Sequence, residues 1–281
     1  GRSRGDVGAS FLLNGGSTSS PTKQGGNVTV VAGEALGANG KGGGLSLRAG
    51  PSSTGTGGST EIMSGYSTSG GSGAFVLKTV NSGAFGASGE ITVKTGTTRI
   101  GSTGAISLST GRALSGGTGG SISLLVGSGD SGAGGSVTVT AGDTTDKSGG
   151  SIHLGSGYGS ATSSGSFMLR TANSGKNGVS GPIRMLTGTT TAGNSGTIQI
   201  HSGTAVAGSG GSIEVHVGPG YGGDEGGYLS LRAGDTFTTG RTGGKVDVIT
   251  GFSSATSSGD MKLATINAGT AGISGAVKIE T

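Results

Sequence analysis

The chain has 281 residues, of which 69 are glycine, with no cysteine, no tryptophan and a formal net charge of +4. Glycine at this level excludes a helical protein, because each interior glycine costs a helix about 1 kcal/mol relative to alanine. Charged residues make up only 11% of the chain and both signs are interspersed, which excludes a basic nucleic-acid-binding surface and argues against simple charge-driven disorder.

In chain order, residues 1–25 form an N-terminal segment that contains the tripeptide Arg4-Gly5-Asp6 and a degraded unit, GASFLLNGG, at residues 8–16. From residue 26 to 281 the chain is a regular array. Each unit reads G-x-Φ-x-Φ-x-[AST]-G, with Φ apolar, followed by a Gly/Ser/Thr-rich link; GNVTVVAG starts at Gly26, GGLSLRAG at Gly43 and GSISLLVG at Gly120. The leading glycine of each unit, the register glycine, falls at 26, 43, 58, 73, 89, 104, 120, 135, 150, 165, 181, 196, 211, 227, 244, 259 and 275. No strict every-third glycine runs through it, so collagen is excluded.

Alternation with a period of two places residues on opposite faces of an extended backbone. Of the 34 residues at the two Φ positions, only Thr60 is polar. Charge sits at the intervening positions, for example Arg48, Glu61, Lys94, Lys245 and Asp247, and all three histidines (His153, His201 and His216) lie there too. This pattern predicts half-buried strands with an inward ladder that includes Val28, Val30, Leu45, Leu47, Ile122, Leu124, Ile198, Ile200, Val246 and Val248. Two apolar side chains cannot offset the entropy of ordering fifteen residues, so a lone unit is not stable. Stacking of successive units through parallel ladders would repair that deficit. The expected fold is therefore all-β: a parallel β-solenoid of about 18 coils of 15–17 residues, with glycines at corners that need φ > 0. At ~4.8 Å per coil it would be a rod roughly 85 Å long.

A longer repeat overlies the short one. GYGSATSSGSFMLRTANSGKNGVSG at 157–181 returns as GFSSATSSGDMKLATINAGTAGISG at 251–275. Its markers are Tyr66, Tyr158 and Phe252, each followed one unit later by Asn81, Asn173 and Asn267. The array thus groups as three super-repeats of six units. The plain role for these markers is a corner aromatic beside an asparagine that tolerates the left-handed conformation. A sugar-stacking platform is the sharper alternative.

Reactive chemistry is sparse, and no catalytic, cofactor or metal site is expected. His201 and His216 occupy equivalent positions in adjacent units with Glu214 nearby, a weak metal-ligand pattern better read as solvated surface. The calcium β-roll pattern is absent, and glycine-rich phosphate motifs carry no weight without a following helix. Asn27-Val28-Thr29 is an N-glycosylation sequon on a predicted strand, and Ser/Thr-rich links such as GYSTSGGSG offer O-glycan sites. Ice binding needs a flat face of identical small residues, whereas the outward positions here vary among Ser, Arg, Glu, Lys, His, Met and Leu.

No hydrophobic membrane or secretory segment occurs, so no membrane insertion is expected. The first residue is Gly rather than Met, which reads as a piece of something longer. GAVKIET closes on a unit without a cap, and an uncapped strand end invites head-to-tail stacking of copies. The expected partner is therefore the chain itself, as a homopolymer.

The phrases GYGSATSSGSFMLRTANSGKNGVSG and GSGDSGAGGSVTVTAGDTT resemble the long Gly/Ser/Thr tandem-repeat proteins of diatoms and related heterokont algae, over most of residues 26–281. The resemblance implies an extracellular, cell-surface or wall-associated structural protein without catalytic residues. The expected function is a structural fibre subunit that assembles head to tail through open solenoid ends. A monomeric cell-surface adhesin or glycan-binding solenoid is the alternative, and an ice-binding protein is third.

Overall fold

A computed structural model describes residues 8–222 and 225–280. Among the described residues there is no helix and no hydrogen-bonded strand; the backbone is extended coil interrupted by turns and bends. The β-solenoid expectation is therefore corrected. The ladders that were to join successive units, and with them the stacked coils and the open solenoid ends proposed for head-to-tail joining, are not formed within the chain.

The apolar residues show why. Among the described residues no hydrophobic side chain is buried, and the ten expected ladder residues are exposed by between 50% (Val28) and 78% (Leu124) of their surface. The accessible surface is 28316 Å², against about 10,600 Å² for a compact chain of this mass and roughly 38,000 Å² for an unfolded one. Two apolar side chains per unit, spaced by long glycine-rich links, make no common core.

What survives is the alternation inside each segment, because it is a property of local extended geometry. Side chains two residues apart share a side and meet there. Lys245 Nζ lies 2.6 Å from Asp247 Oδ2, and His216 Nε2 lies 3.4 Å from Glu214 Oε2. Lys278 pairs with Glu280 in the same way, and the Thr92 hydroxyl donates to Glu90 Oε1 at 3.0 Å.

The chain divides into two units, Gly1–Val139 and Thr140–Thr281. Within each, extended segments are separated by loops whose two ends come back into contact. We call these contacts necks.

Candidate functional site: the recurring loop neck

A neck forms where the end of one segment meets the register glycine that begins the next; that end is Ala, Ser, Thr or Val followed by a closing glycine in most units, and Thr79-Val80, Thr171-Ala172 or Thr265-Ile266 in three. Every register glycine from 43 to 275 does this. Gly43 approaches Ala32 and Gly33, Gly58 approaches Ala49 and Gly50, and the series runs on to Gly275, which approaches Thr265. In the off-phase first unit the partners are glycines: a Cβ on Gly26 would lie 2.8 Å from the Gly16 nitrogen, and one on Gly15 would strike the Gly26 carbonyl.

Two kinds of neck occur. In the first, the register amide donates to the carbonyl of the glycine closing the previous segment. Gly58 N–H bonds Gly50 O at 2.9 Å, Gly73 bonds Gly65 at 2.8 Å, Gly150 bonds Gly142 at 2.9 Å and Gly165 bonds Gly157 at 2.9 Å. The pairs Gly26–Gly16, Gly43–Gly33, Gly244–Gly234 and Gly259–Gly251 repeat it. Where the preceding unit follows the regular pattern, the residue before the closing glycine is Ala or Ser, except Thr250, whose neck has the longest of these bonds at 3.1 Å.

In the second kind a branched side chain fills the neck. A Cβ on Gly135 would lie 2.6 Å from Val126 Cγ1, and one on Gly227 would lie 2.7 Å from Val217 Cγ1. Thr79, Thr95, Thr110, Thr171, Thr187 and Thr265 stand in the same place against their own register glycines. In these necks the register amide makes no hydrogen bond to the end of the preceding segment, although the equally branched Thr250 permits one. Ser202 is small yet its neck lacks the bond, and nothing in the structure explains it.

A Cβ would clash at Gly26, Gly135 and Gly227 and be tight at Gly43, Gly150 and Gly244, so these register glycines are required by close approach and not by dihedral angle, while at most of the others it would make ordinary contact. The glycines with left-handed φ are Gly86, Gly101, Gly116, Gly132, Gly193 and Gly240, all inside loops. Left-handed glycines thus occur within the loops and not at the register positions. Among the described residues, Ser115 (φ 60°) is the non-glycine residue in that region, so Asn81, Asn173 and Asn267 do not adopt the left-handed conformation expected of them.

Four of the loops that span eight positions from closing to register glycine carry an internal clasp. Two residues after the closing glycine a hydroxyl accepts from the amide three residues further on. Ser52 Oγ accepts from Gly55 at 2.9 Å, Ser67 from Gly70 at 2.8 Å, Thr144 from Lys147 at 3.3 Å and Ser253 from Thr256 at 3.0 Å. Such hydroxyl-to-backbone bonds mimic a backbone turn. In the loop from Gly157 to Gly165 the clasp position is Gly159, and a Cβ there would strike the Ser163 carbonyl.

The remaining sequence candidates are placed as follows. Tyr66, Tyr158 and Phe252 each follow a closing glycine and are 87–90% exposed. Asn27 is exposed, and its side-chain oxygen accepts from Gln24 Nε2 at 3.3 Å. His216 meets Glu214, and among the described residues no group of three or more His, Asp or Glu forms a metal-ligand cluster. Arg4-Gly5-Asp6 lies outside the described residues. No helix of the described chain is long and apolar enough to cross a membrane. Sequence reasoning assigned the tight packing to the Φ positions and missed the necks. Their signal was the restriction to Ala, Ser, Thr or Val just before the closing glycine.

Comparison with protein-family models, curated proteins and solved structures gave no match.

Proposed function

We propose that the chain is a structural, non-enzymatic component that functions by associating with other copies into fibres. The observation that supports this reading is the repeated pair of apolar side chains, exposed in segment after segment at near-constant spacing. Exposed apolar surface on this scale is driven to associate. Glycine-rich links closed at their necks keep the apolar pairs apart within the chain, which favours contacts between chains over collapse of one. Placement outside the cell or on its surface rests on the tandem-repeat resemblance.

Sedimentation and electron microscopy over a concentration series test the reading. Fibres should appear above a critical concentration. A chain that stays monomeric up to its solubility limit contradicts the proposal. Ile198→Ser should raise the critical concentration roughly ten- to hundredfold through lost apolar burial of about 1.5–3 kcal/mol. Gln199→Ser, on the alternate side of the same segment, should change it by less than about threefold.

Glycan binding is the second reading, favoured by Tyr66, Tyr158 and Phe252 presenting exposed rings at the same loop position. Isotherms against a panel of soluble polysaccharides check it: saturable binding weakened by Tyr158→Ala supports it, and flat isotherms remove it.

A further inference from the structure

The backbone of the apolar segments carries an inference about how copies pair. Among the described residues, backbone-to-backbone hydrogen bonds close necks or the tight turns at Gly37–Gly40, Gly175–Gly178 and Thr238–Arg241. Inside the segments Ser121–Val126 and Thr197–Ser202 no amide or carbonyl has a partner within the chain. Both are runs of six residues free of glycine and proline, with alternate apolar side chains and little charge. An extended segment with unpaired amides and carbonyls is a template for pairing with another chain.

We propose that the partner of these segment edges is a second copy of the same chain, laid parallel and in register, so that Ile122 stacks on Ile122 and Ile198 on Ile198 at a spacing of about 4.8 Å. This rests on the fibre reading and adds the pairing register to it.

Spacing singles out the second copy. A partner that satisfies every segment must present its own segments at the same uneven intervals. From register glycine 73 the following ones stand 16, 31, 47, 62, 77 and 92 residues on, while from 165 they stand 16, 31, 46, 62, 79 and 94 residues on. A copy shifted by one super-repeat therefore slips by one residue at Gly211 and by two at Gly244. A one-residue slip turns every side chain of a segment to the wrong face. The unshifted copy is the alignment that fits throughout.

Charge fits the same arrangement. In-register stacking lines up like charges, which is costly unless opposite charges run alongside. Lys245 beside Asp247, Lys278 beside Glu280 and His216 beside Glu214 place a cationic or ionisable row next to a carboxylate row on the same side of the segment. At these three segments the register pairing carries counter-charges in each layer.

The test uses the full chain, which contains no cysteine, so a single introduced thiol is a unique label site. Nitroxide is attached to Ser123→Cys, between Ile122 and Leu124, and separately to Gln199→Cys. Each labelled chain is assembled undiluted and, in parallel, with a tenfold excess of unlabelled chain. Stacked labels should give a spin-exchange-narrowed single line at both sites, and dilution should restore three lines. Fibres without narrowing at either site, or with narrowing at one only, overturn the in-register pairing while leaving the fibre reading standing. Absence of any assembly, labelled or not, overturns the fibre reading and the register with it.

Discussion

Two neighbouring necks in the sequence do the same job by different means. The neck before Gly150 is closed by a 2.9 Å backbone hydrogen bond to Gly142, with the small Ala141 beside it. The neck before Gly135 has Val126 in the place of Ala141, and its methyl occupies the space where the backbones would otherwise meet. Both bring the chain back on itself, but one is held by a directional bond and the other by packing at a crowded glycine. In this pair, the residue before the closing glycine distinguishes the two modes of closure.

The largest effect should come from adding a methyl to a register glycine at a crowded neck. At Gly135 a Cβ would lie 2.6 Å from Val126 Cγ1, closer than packed atoms allow. Gly135→Ala should therefore open that neck and abolish the nuclear Overhauser contact between the Val126 methyls and the residue-135 Hα. At Gly150 the nearest atoms would be the Gly142 nitrogen at 3.2 Å and Ala141 Cβ at 3.3 Å. Gly150→Ala should keep its neck, with amide exchange at residue 150 changed by no more than about twofold. Equal opening at both would break the distinction between the two kinds.

Exchanging the residues before the closing glycine sharpens it further. Val126→Ala should let the Gly135 amide reach the Gly127 carbonyl and slow its hydrogen exchange roughly two- to tenfold, the value of a net hydrogen bond of about 0.5–1.5 kcal/mol. Ala141→Val should speed exchange at Gly150 by the same factor. Opposite or absent changes would show that bulk before the closing glycine does not govern the neck. The smallest effect belongs to the clasps. Ser67→Ala removes the acceptor for the Gly70 amide, and in so exposed a loop its exchange should quicken by about twofold, with the Gly73–Gly65 neck bond unaltered.

Local features were legible in the sequence, and long-range ones were not. The 15–17-residue unit, the alternation that sets Lys245 beside Asp247, and the special status of the register glycines could all be read, because each depends on residues within one unit. Alternation at Ile198 and Ile200 was taken to imply a ladder inside the chain. Alternation states only that a segment has an apolar side; it does not say whether the covering strand comes from the same chain. Glycines were expected at left-handed corners; the structure has left-handed glycines inside loops and uses the missing Cβ of others, such as Gly135 and Gly227, for close approach. Both needs demand glycine, so composition does not separate them. The necks were open to sequence reading through Ala49, Ser64, Ala141 and Val126, whose small or compact side chains were instead assigned to the margin of an inward face.

The central claim is that, within one chain, hydrogen bonding is confined to necks and turns while the apolar segments stay unpaired. Residue-resolved amide exchange on the dilute, unassembled chain tests it most directly. Slowed exchange at Gly43, Gly58, Gly73, Gly150, Gly165, Gly244 and Gly259, with near-random-coil exchange through Ser121–Val126 and Thr197–Ser202, is the predicted result. Protection running continuously through those two segments in the monomer would contradict it, and would mean that the segments pair within the chain after all.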